Sequence, residues 1–213
     1  MKIKLVYPKI PNTLNCPLKN CIAFSKEDGT LIHFVLHPKS GWVEFGTRRD
    51  RFPFNNEGIN QFEQAHPELT GIENIWDTEA KLEFFLLDHP IYTTAKEIIV
   101  FTEYLGPKSF AGAHQPGDSM QLVIFDVQID GKMLSPEEFM QEFQQFNIAK
   151  VVFKGKFTGQ LFVDVRKGKY DVKEGVVVKG MVGDQVYMAK IKTEAYLRRL
   201  QSQFKDDWKN YWE

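Results

Sequence analysis

The sequence predicts an α+β fold built on antiparallel sheets, and three observations carry that expectation. Short β-rich runs recur along the chain without the regular strand–helix alternation of a parallel sheet. Helical signals are confined to residues 57–88, to a capped segment beginning near residue 135 and to the C-terminal stretch. Hydrophobic residues make up 43% of the 213 positions, with 18 Phe among them, so a substantial core is available.

Residues 1–20 carry Pro8, Pro11 and Pro17 and read as an extended lead-in. Thr30–His37 (TLIHFVLH) is a strand, and Trp42–Phe45 is its hairpin partner across the turn-like Pro38-Lys39-Ser40-Gly41. In the 57–88 region, Ile59, Phe62 and Leu69 mark one helix, and Ala80, Phe84 and Leu87 another. Glu97–Glu103 (EIIVFTE) and Gln121–Gln128 (QLVIFDVQ) are strands, with the Gly- and Pro-containing stretch 106–119 as a loop between them. Ser135-Pro136-Glu137-Glu138 is a capping box with Pro at the first helical position, and it opens a helix over 136–146. Further strands are expected at 151–157, 160–166, 175–180 and 185–192. The stretch from Thr193 to Glu213 is amphipathic, with Leu197, Leu200, Phe204, Trp208 and Tyr211 on one face of a C-terminal helix. No repeat, low-complexity tract or linker divides the chain, so residues 1–213 read as one domain.

Composition narrows the function classes. No apolar run approaches the ~18 residues of a spanning helix, so no membrane association is expected. The N-terminus from Met1 to Val6 lacks the apolar core of a signal peptide. Two cysteines, Cys16 and Cys21, cannot make a disulfide scaffold, and a reducing, cytoplasmic location is the expectation. His33, His37, His66, His89 and His114 show no metal-ligand spacing, although His33 and His37 share a strand face. The formal net charge of −1, from 27 basic and 28 acidic residues, suggests no nucleic-acid partner when taken globally. Locally it conceals a dipole: 57–88 holds eight acidic residues against Lys81 alone, and 150–179 holds eight basic against three acidic. The basic stretch fits a plain solvated face, and equally a surface for polyphosphate or nucleic acid.

Lys26-Glu27-Asp28-Gly29 stands just before a strand, and alone it reads as a turn whose Asp-Gly closes a hairpin. It is followed by Phe45-Gly46-Thr47-Arg48-Arg49-Asp50-Arg51-Phe52, by Phe101-Thr102-Glu103-Tyr104-Leu105-Gly106 and by Ile124-Phe125-Asp126-Val127. Glu174-Gly175-Val176-Val177-Val178-Lys179 and Ala189-Lys190-Ile191-Lys192 complete the series. Lys190 and Lys192 are two apart on a strand and share a face. Between apolar neighbours such a pair is costly unless it meets an anion; an exposed strand face is the plainer account. Arg48, Arg49 and Arg51 form a dense cationic cluster, which by itself fits a surface patch paired with Asp50 and Glu44.

In this order the segments resemble the covalent nucleotidyltransferases, and within them the ATP-dependent RNA ligases, from about Lys9 to Lys192. K-x-x-G, E-G-x-V-x-K and K-x-K are weak singly and specific together. The resemblance implies a nucleotidyltransferase (adenylylation) domain of antiparallel sheets with flanking helices. It implies that Lys26 attacks the α-phosphate of ATP to give lysyl-AMP, with Lys190 and Lys192 as catalytic cations. Asp28, Gly29, Glu103, Phe125, Glu174 and Lys179 would surround the nucleotide. Phe125 would stack on adenine, with Asp126 on the opposite side of its strand. Glu103 and Glu174 would hold Mg²⁺ or Mn²⁺, and Arg48, Arg49 and Arg51 would meet the phosphates or 3′ end of the RNA. The basic stretch 150–179 would flank the pocket and hold the phosphate backbone. A free lysine titrates near ~10.4, so an attacking amine at pH 7–8 needs ~3–4 kcal/mol of destabilisation of its ammonium form. Lys190, Lys192 and the divalent cation are the available sources.

Only 21 residues follow Lys192, room for one helix, so no OB domain is expected, which leaves open how the RNA end is gripped and whether an accessory protein supplies those contacts. The expected partners are RNA ends, including nicked duplex. Asp28 is also common in DNA ligases and capping enzymes, which keeps a minimal DNA ligase as an alternative. A non-catalytic nucleotide- or RNA-binding module of the same fold is the other; the chemically competent residues in all six segments weigh against it.

Overall fold

The structure is a computed structural model and describes residues 5–72, 81–107 and 117–208. Among the described residues, ten strands form two antiparallel sheets. They are β1 (Asn20–Lys26), β2 (Thr30–His37), β3 (Gly41–Thr47), β4 (Phe52–Pro53), β5 (Ile98–Leu105), β6 (Gln121–Ile129), β7 (Lys132–Met133), β8 (Val151–Lys156), β9 (Gly175–Val182) and β10 (Gln185–Lys192). The four-stranded sheet has the order β10-β9-β1-β8, and the six-stranded sheet has the order β4-β3-β2-β5-β6-β7. The chain forms two compact units. The first comprises Met1–Pro8, Asp28–Leu134 and Gln141–Ile148; the second comprises Lys9–Glu27, Ser135–Met140 and Ala149–Glu213.

In the first unit the expected β2–β3 hairpin forms, and Gly41 closes it at a φ of 77°. Helix α1 (Asn56–Ala65) starts at Asn55, whose side chain accepts from the Gly58 N–H, and it buries Phe62 against Phe45 and Phe52. Leu69 does not belong to this helix. Pro67 lacks an N–H and restricts His66, so Leu69 falls in a separate 3₁₀ turn, Pro67–Leu69. Helix α2 (Lys81–Asp88) buries Leu82 and Leu86 and leaves Phe84 76% exposed. The i, i+4 stripe therefore runs through Leu82 rather than Phe84; Ala80 lies outside the described residues. A single turn, α3 (Pro90–Thr93), leads into β5, which runs past Glu103 to Leu105. Of the expected 106–119 loop, residues 108–116 lie outside the described residues.

Helix α4 (Pro136–Phe143) begins with the expected capping box: the Ser135 N–H donates to Glu138 Oε2 and the Glu138 N–H to Ser135 Oγ. It stops at Phe143 rather than 146. The strand expected at 160–166 is instead helix α5 (Gly159–Arg166). Thr158 caps it by accepting from the Leu161 N–H, and the buried positions, Leu161 and Val165, are four apart. The apolar run Leu161-Phe162-Val163 imitates a strand because Phe162 and Val163 stay exposed. Helix α6 (Glu194–Phe204) is capped by Thr193 and buries Tyr196, Leu197 and Leu200. It ends where Lys205 takes a φ of 46° and passes into a 3₁₀ turn, Lys205–Trp208. Phe204 and Trp208 pack on the α6 cluster as expected, and Tyr211 lies outside the described residues. No helix among the described residues is long and apolar enough to cross a membrane.

The four-stranded sheet has two unlike faces. On one, Cys21, Ala23, Val176, Val178, Ala189 and Ile191 pack against Leu161 and Val165 of α5 to form the core of the second unit. The other face carries the charged residues.

Candidate active site

Strand β1, which sequence pattern alone did not reveal, delivers Lys26 at its C-terminal end. Register then assembles the site. Lys26 lies opposite Gly175 on β9, and Gly175 lies opposite Lys192 on β10. One rung away, Phe24, Val177 and Lys190 are opposite one another; the next rung aligns Ile22, Lys179 and Met188. Directly opposed residues share a face, so Lys26, Lys179, Lys190 and Lys192 all stand on one side of the sheet. The Asp28-Gly29 segment does not close a β1–β2 hairpin, because those strands belong to different sheets.

Glu174, immediately before β9, is the acidic centre of this face. Its Oε2 lies 2.8 Å from Lys26 Nζ and its Oε1 lies 3.2 Å from Lys192 Nζ. The carboxylate is 4% exposed, Lys192 is 8% and Lys26 is 24%, so one buried anion bridges two ammonium groups of unequal access. Gly175 makes the bridge possible. It occupies the rung between the two lysines, and a Cβ there would meet the Ile191 carbonyl oxygen at 2.0 Å. Below the bridge, the Lys192 ammonium lies 4.9 Å from the centre of the Tyr196 ring.

Lys190 is the electrostatically unsettled member. Burial pushes it from 10.5 down to about 8, and the neighbouring Lys192, Lys26 and Lys9 push in the same direction against Glu174. Lys9 was not singled out by the sequence. It reaches this cluster because the lead-in runs beside β10: the Lys190 N–H donates to the Pro11 carbonyl, and Asn12 bridges to Lys190. Lys179 is buried deeper on the same face, its ammonium 5.0 Å from the Phe24 ring centre and 5.6 Å from that of Phe139.

The remaining expected residues belong to the first unit. Asp28 is buried. Gly29 donates its N–H to Glu103 Oε1 at 3.0 Å, and a Cβ at Gly29 would lie 2.2 Å from the Tyr104 carbonyl oxygen. This explains the glycine: only a residue without a side chain allows the backbone to approach Glu103 so closely. The three arginines have different surroundings. Arg51 pairs with Glu44 at 2.8 Å, Arg49 is exposed, and Arg48 donates from Nε to the Tyr7 carbonyl at 3.0 Å. Arg48 Nη2 is buried with no hydrogen-bond partner among the described residues. Asp50 does not join the arginines: it accepts from the Thr47 N–H and Oγ1 and lies 2.7 Å from His66 Nε2.

Phe125 and Asp126 do not point to opposite sides, contrary to the simple alternation. A bulge in the β5–β6 ladder interrupts the period at Phe125, and both side chains meet Tyr7. The Tyr7 ring centre is 5.2 Å from that of Phe125 and 4.9 Å from that of Phe101, and its hydroxyl donates to Asp126. Burial and the adjacent Asp126 push the Tyr7 phenol well above its ordinary range. Tyr7 had no sequence signal beyond being one aromatic in an extended lead-in.

No family model matches the chain, and no curated protein sequence matches it. The fold does match solved structures of Naegleria gruberi RNA ligase. A mutant of that enzyme with AMP and Mn shows 14% identity over 93% of this chain and 61% of its own, with a TM-score of 0.62. A second mutant, with ATP and Mn, gives 12% identity, the same coverage of 93% and 61%, and a TM-score of 0.62. The enzyme with PPi gives 14% identity over 94% and 61%, with a TM-score of 0.60. The chain thus spans about three-fifths of the length of these RNA ligase chains. At such identities the likeness establishes the fold, a mixed α/β arrangement of two antiparallel sheets like that of an RNA ligase.

Proposed function

We propose that this chain is an ATP-dependent RNA ligase, working as a single nucleotidyltransferase domain that carries AMP on Lys26. The observation that carries the reading is the convergence of Lys26 and Lys192 on the buried Glu174 carboxylate, with Lys190 on the same sheet face. A non-catalytic relative has no need to keep a partly accessible lysine against a buried carboxylate and two further cations. The fold it shares with an RNA ligase solved with AMP, with ATP and with PPi supports the same reading.

In this reading the Lys26 amine attacks the α-phosphorus of ATP. A nitrogen–phosphorus bond forms, the bond to the bridging oxygen breaks and pyrophosphate leaves. The proton on Lys26 Nζ passes to Glu174, its hydrogen-bonded neighbour. Lys190 and Lys192 neutralise the phosphates and disfavour a second ammonium at Lys26. The 5′-phosphate of an RNA end then takes the AMP from Lys26, and the 3′-hydroxyl of the joining end displaces it to form the phosphodiester. In the first unit Arg48, with its orphaned N–H, suits an anionic oxygen of the RNA.

Mg²⁺ or Mn²⁺ fits this donor set. Among the described residues no three His, Cys, Asp or Glu side chains form a protein-only cage. Magnesium does not need one, since it keeps waters and binds through one or two carboxylates plus substrate phosphates. Glu174 would supply one such carboxylate, and the cation would neutralise charge on the phosphates.

The test is incubation with Mg²⁺ and ATP labelled at the α-phosphate, followed by denaturing electrophoresis and peptide mapping. Label on the peptide bearing Lys26 is expected; no covalent label, or label elsewhere, overturns the assignment. A GTP lane tests capping-like chemistry, and nicked RNA against nicked DNA tests the DNA-ligase alternative.

Lys190 gives an independent readout. Its ammonium form is disfavoured in the free protein, and an added polyphosphate restores it. ATP binding at pH 8 should therefore take up about half a proton on Lys190, falling toward zero at pH 6.5, where the lysine is already charged. Titration calorimetry in buffers of different ionisation enthalpy measures this. No uptake at pH 8 would place Lys190 away from the phosphates.

A further inference from the structure

A proline shapes the segment that precedes β1. Pro11 carries no N–H and disfavours helical backbone at Ile10, which suits an extended segment that pairs on one side only. That segment lies along β10. The Pro11 carbonyl accepts the Lys190 N–H at 2.9 Å, and Asn12 forms a parallel bridge with Lys190. The Asn12 side chain then accepts the Leu14 N–H at 3.0 Å and opens a turn. β10 is the edge of the order β10-β9-β1-β8, so the lead-in adds a strip on its outer side.

Lys9, two residues before Pro11, is exposed, and it is the cation that this strip brings to the site. Position sets it apart from the other exposed lysines. Its charge reaches Lys190 and joins those of Lys192 and Lys26 in disfavouring the Lys190 ammonium, with the Glu174 carboxylate opposing them. Like charges gathered at one sheet edge repel one another, and a polyanion laid across them relieves the repulsion. Across the strands the cations come in a fixed order. Lys26 stands on β1, Lys192 faces it from β10 across Gly175, Lys190 is one rung away, and Lys9 belongs to the strip outside β10. Three strand spacings, about 14 Å, separate that strip from β1.

We propose that Lys9 binds the β- and γ-phosphates of ATP and steadies the pyrophosphate as it leaves. This rests on the ligase reading for the reaction and on the pairing of the lead-in with β10 for the location. The attacking and leaving atoms lie roughly in line through the phosphorus. Lys26 attacks from the β1 side, so the bond to the bridging oxygen breaks on the far side, toward β10 and the lead-in. The electron pair of that bond stays with pyrophosphate, and the new negative charge develops where Lys190 and Lys192 stand and Lys9 reaches. Lys9 comes from outside the sheet ladder, and its ammonium on a flexible stem can follow the departing group.

The test uses the full chain and three variants: Lys9→Gln, Lys9→Arg, which keeps the charge, and Lys19→Gln, at an exposed lysine just before the start of β1, at the opposite end of that strand from Lys26. Inorganic pyrophosphate and AMP are titrated into each by calorimetry with Mg²⁺ present. Lys9→Gln should weaken pyrophosphate binding about tenfold, the loss of one charge-assisted contact, and leave AMP binding unchanged. Its KM for ATP in lysyl-AMP labelling should rise by a similar factor. Joining of pre-adenylylated RNA, which releases AMP and no pyrophosphate, should keep the wild-type rate. Lys9→Arg should recover most of the loss, and Lys19→Gln should show none. The proposal is overturned by unchanged pyrophosphate affinity in Lys9→Gln, by an equal loss for AMP or in Lys19→Gln, by no recovery in Lys9→Arg, by an equal slowing of pre-adenylylated joining, or by no pyrophosphate binding to the wild type. Labelling of the wild type is read separately. Pyrophosphate loss without label would uphold Lys9 as a polyphosphate ligand and remove the ligase; label without pyrophosphate loss would leave the ligase and remove Lys9 from it.

Discussion

Lys26→Ala is expected to abolish covalent labelling by ATP at every pH while the protein stays folded. The activity loss follows from the chemistry: without the amine no nitrogen–phosphorus bond forms, and Lys190 and Lys192 cannot substitute without leaving the ladder positions that hold them beside Val177 and Gly175. The small structural cost follows from geometry. Lys26 is the accessible partner of the bridge, and after its removal Glu174 keeps Lys192 at 3.2 Å, so no buried charge loses its last partner. The melting temperature should therefore shift by no more than about 4 °C, equivalent to about 1 kcal/mol for a chain of this size. RNA supplied with a pre-adenylylated 5′ end bypasses the first two steps, so the same variant should still join it. Residual ATP-dependent label would show a different nucleophile. Failure on pre-adenylylated RNA in a folded variant would show that Lys26 acts in the sealing step as well.

Much of this site was legible in the sequence because strands impose a period of two. The Lys190–Lys192 spacing required a common face. What the spacing of segments could not give was which strands lie side by side. Lys26, Glu174 and Lys192 are brought together only by the β1–β9–β10 ladder, and β1 itself lacked a signal because its flanks hold Cys and Ser rather than β-branched residues. The misread 160–166 segment failed for the opposite reason. Its apolar run suits either period, and the deciding residue was Thr158, a cap rather than a hydrophobe. Tyr7 and Lys9 were hidden because their roles come from where an irregular segment is laid down, and irregular backbone carries no period at all.

Glu174→Gln should be the most destabilising of these substitutions, and the contrast with Lys26→Ala makes it diagnostic. Gln keeps the shape and can still accept a hydrogen bond, but it removes the anion between Lys26 and Lys192 and leaves Lys190 alongside them. The Lys192 ammonium, 8% exposed, then loses the Glu174 carboxylate that lies 3.2 Å from it, a change that costs about 3–5 kcal/mol. For a domain of this size that corresponds to a fall in melting temperature of roughly 6–20 °C, measurable by calorimetry or circular dichroism. The labelling reaction should be lost as well, because the proton acceptor for Lys26 and a metal-binding carboxylate go together. Adding Lys192→Met to Glu174→Gln separates the two effects. Removing the stranded ammonium beside the Tyr196 ring should recover at least about half of the lost stability, since the penalty comes from an uncompensated charge rather than from lost packing. It should recover none of the labelling. A Glu174→Gln protein that melts within about 2 °C of the wild type would mean that water already screens the cluster and that the carboxylate is not the anchor of this face.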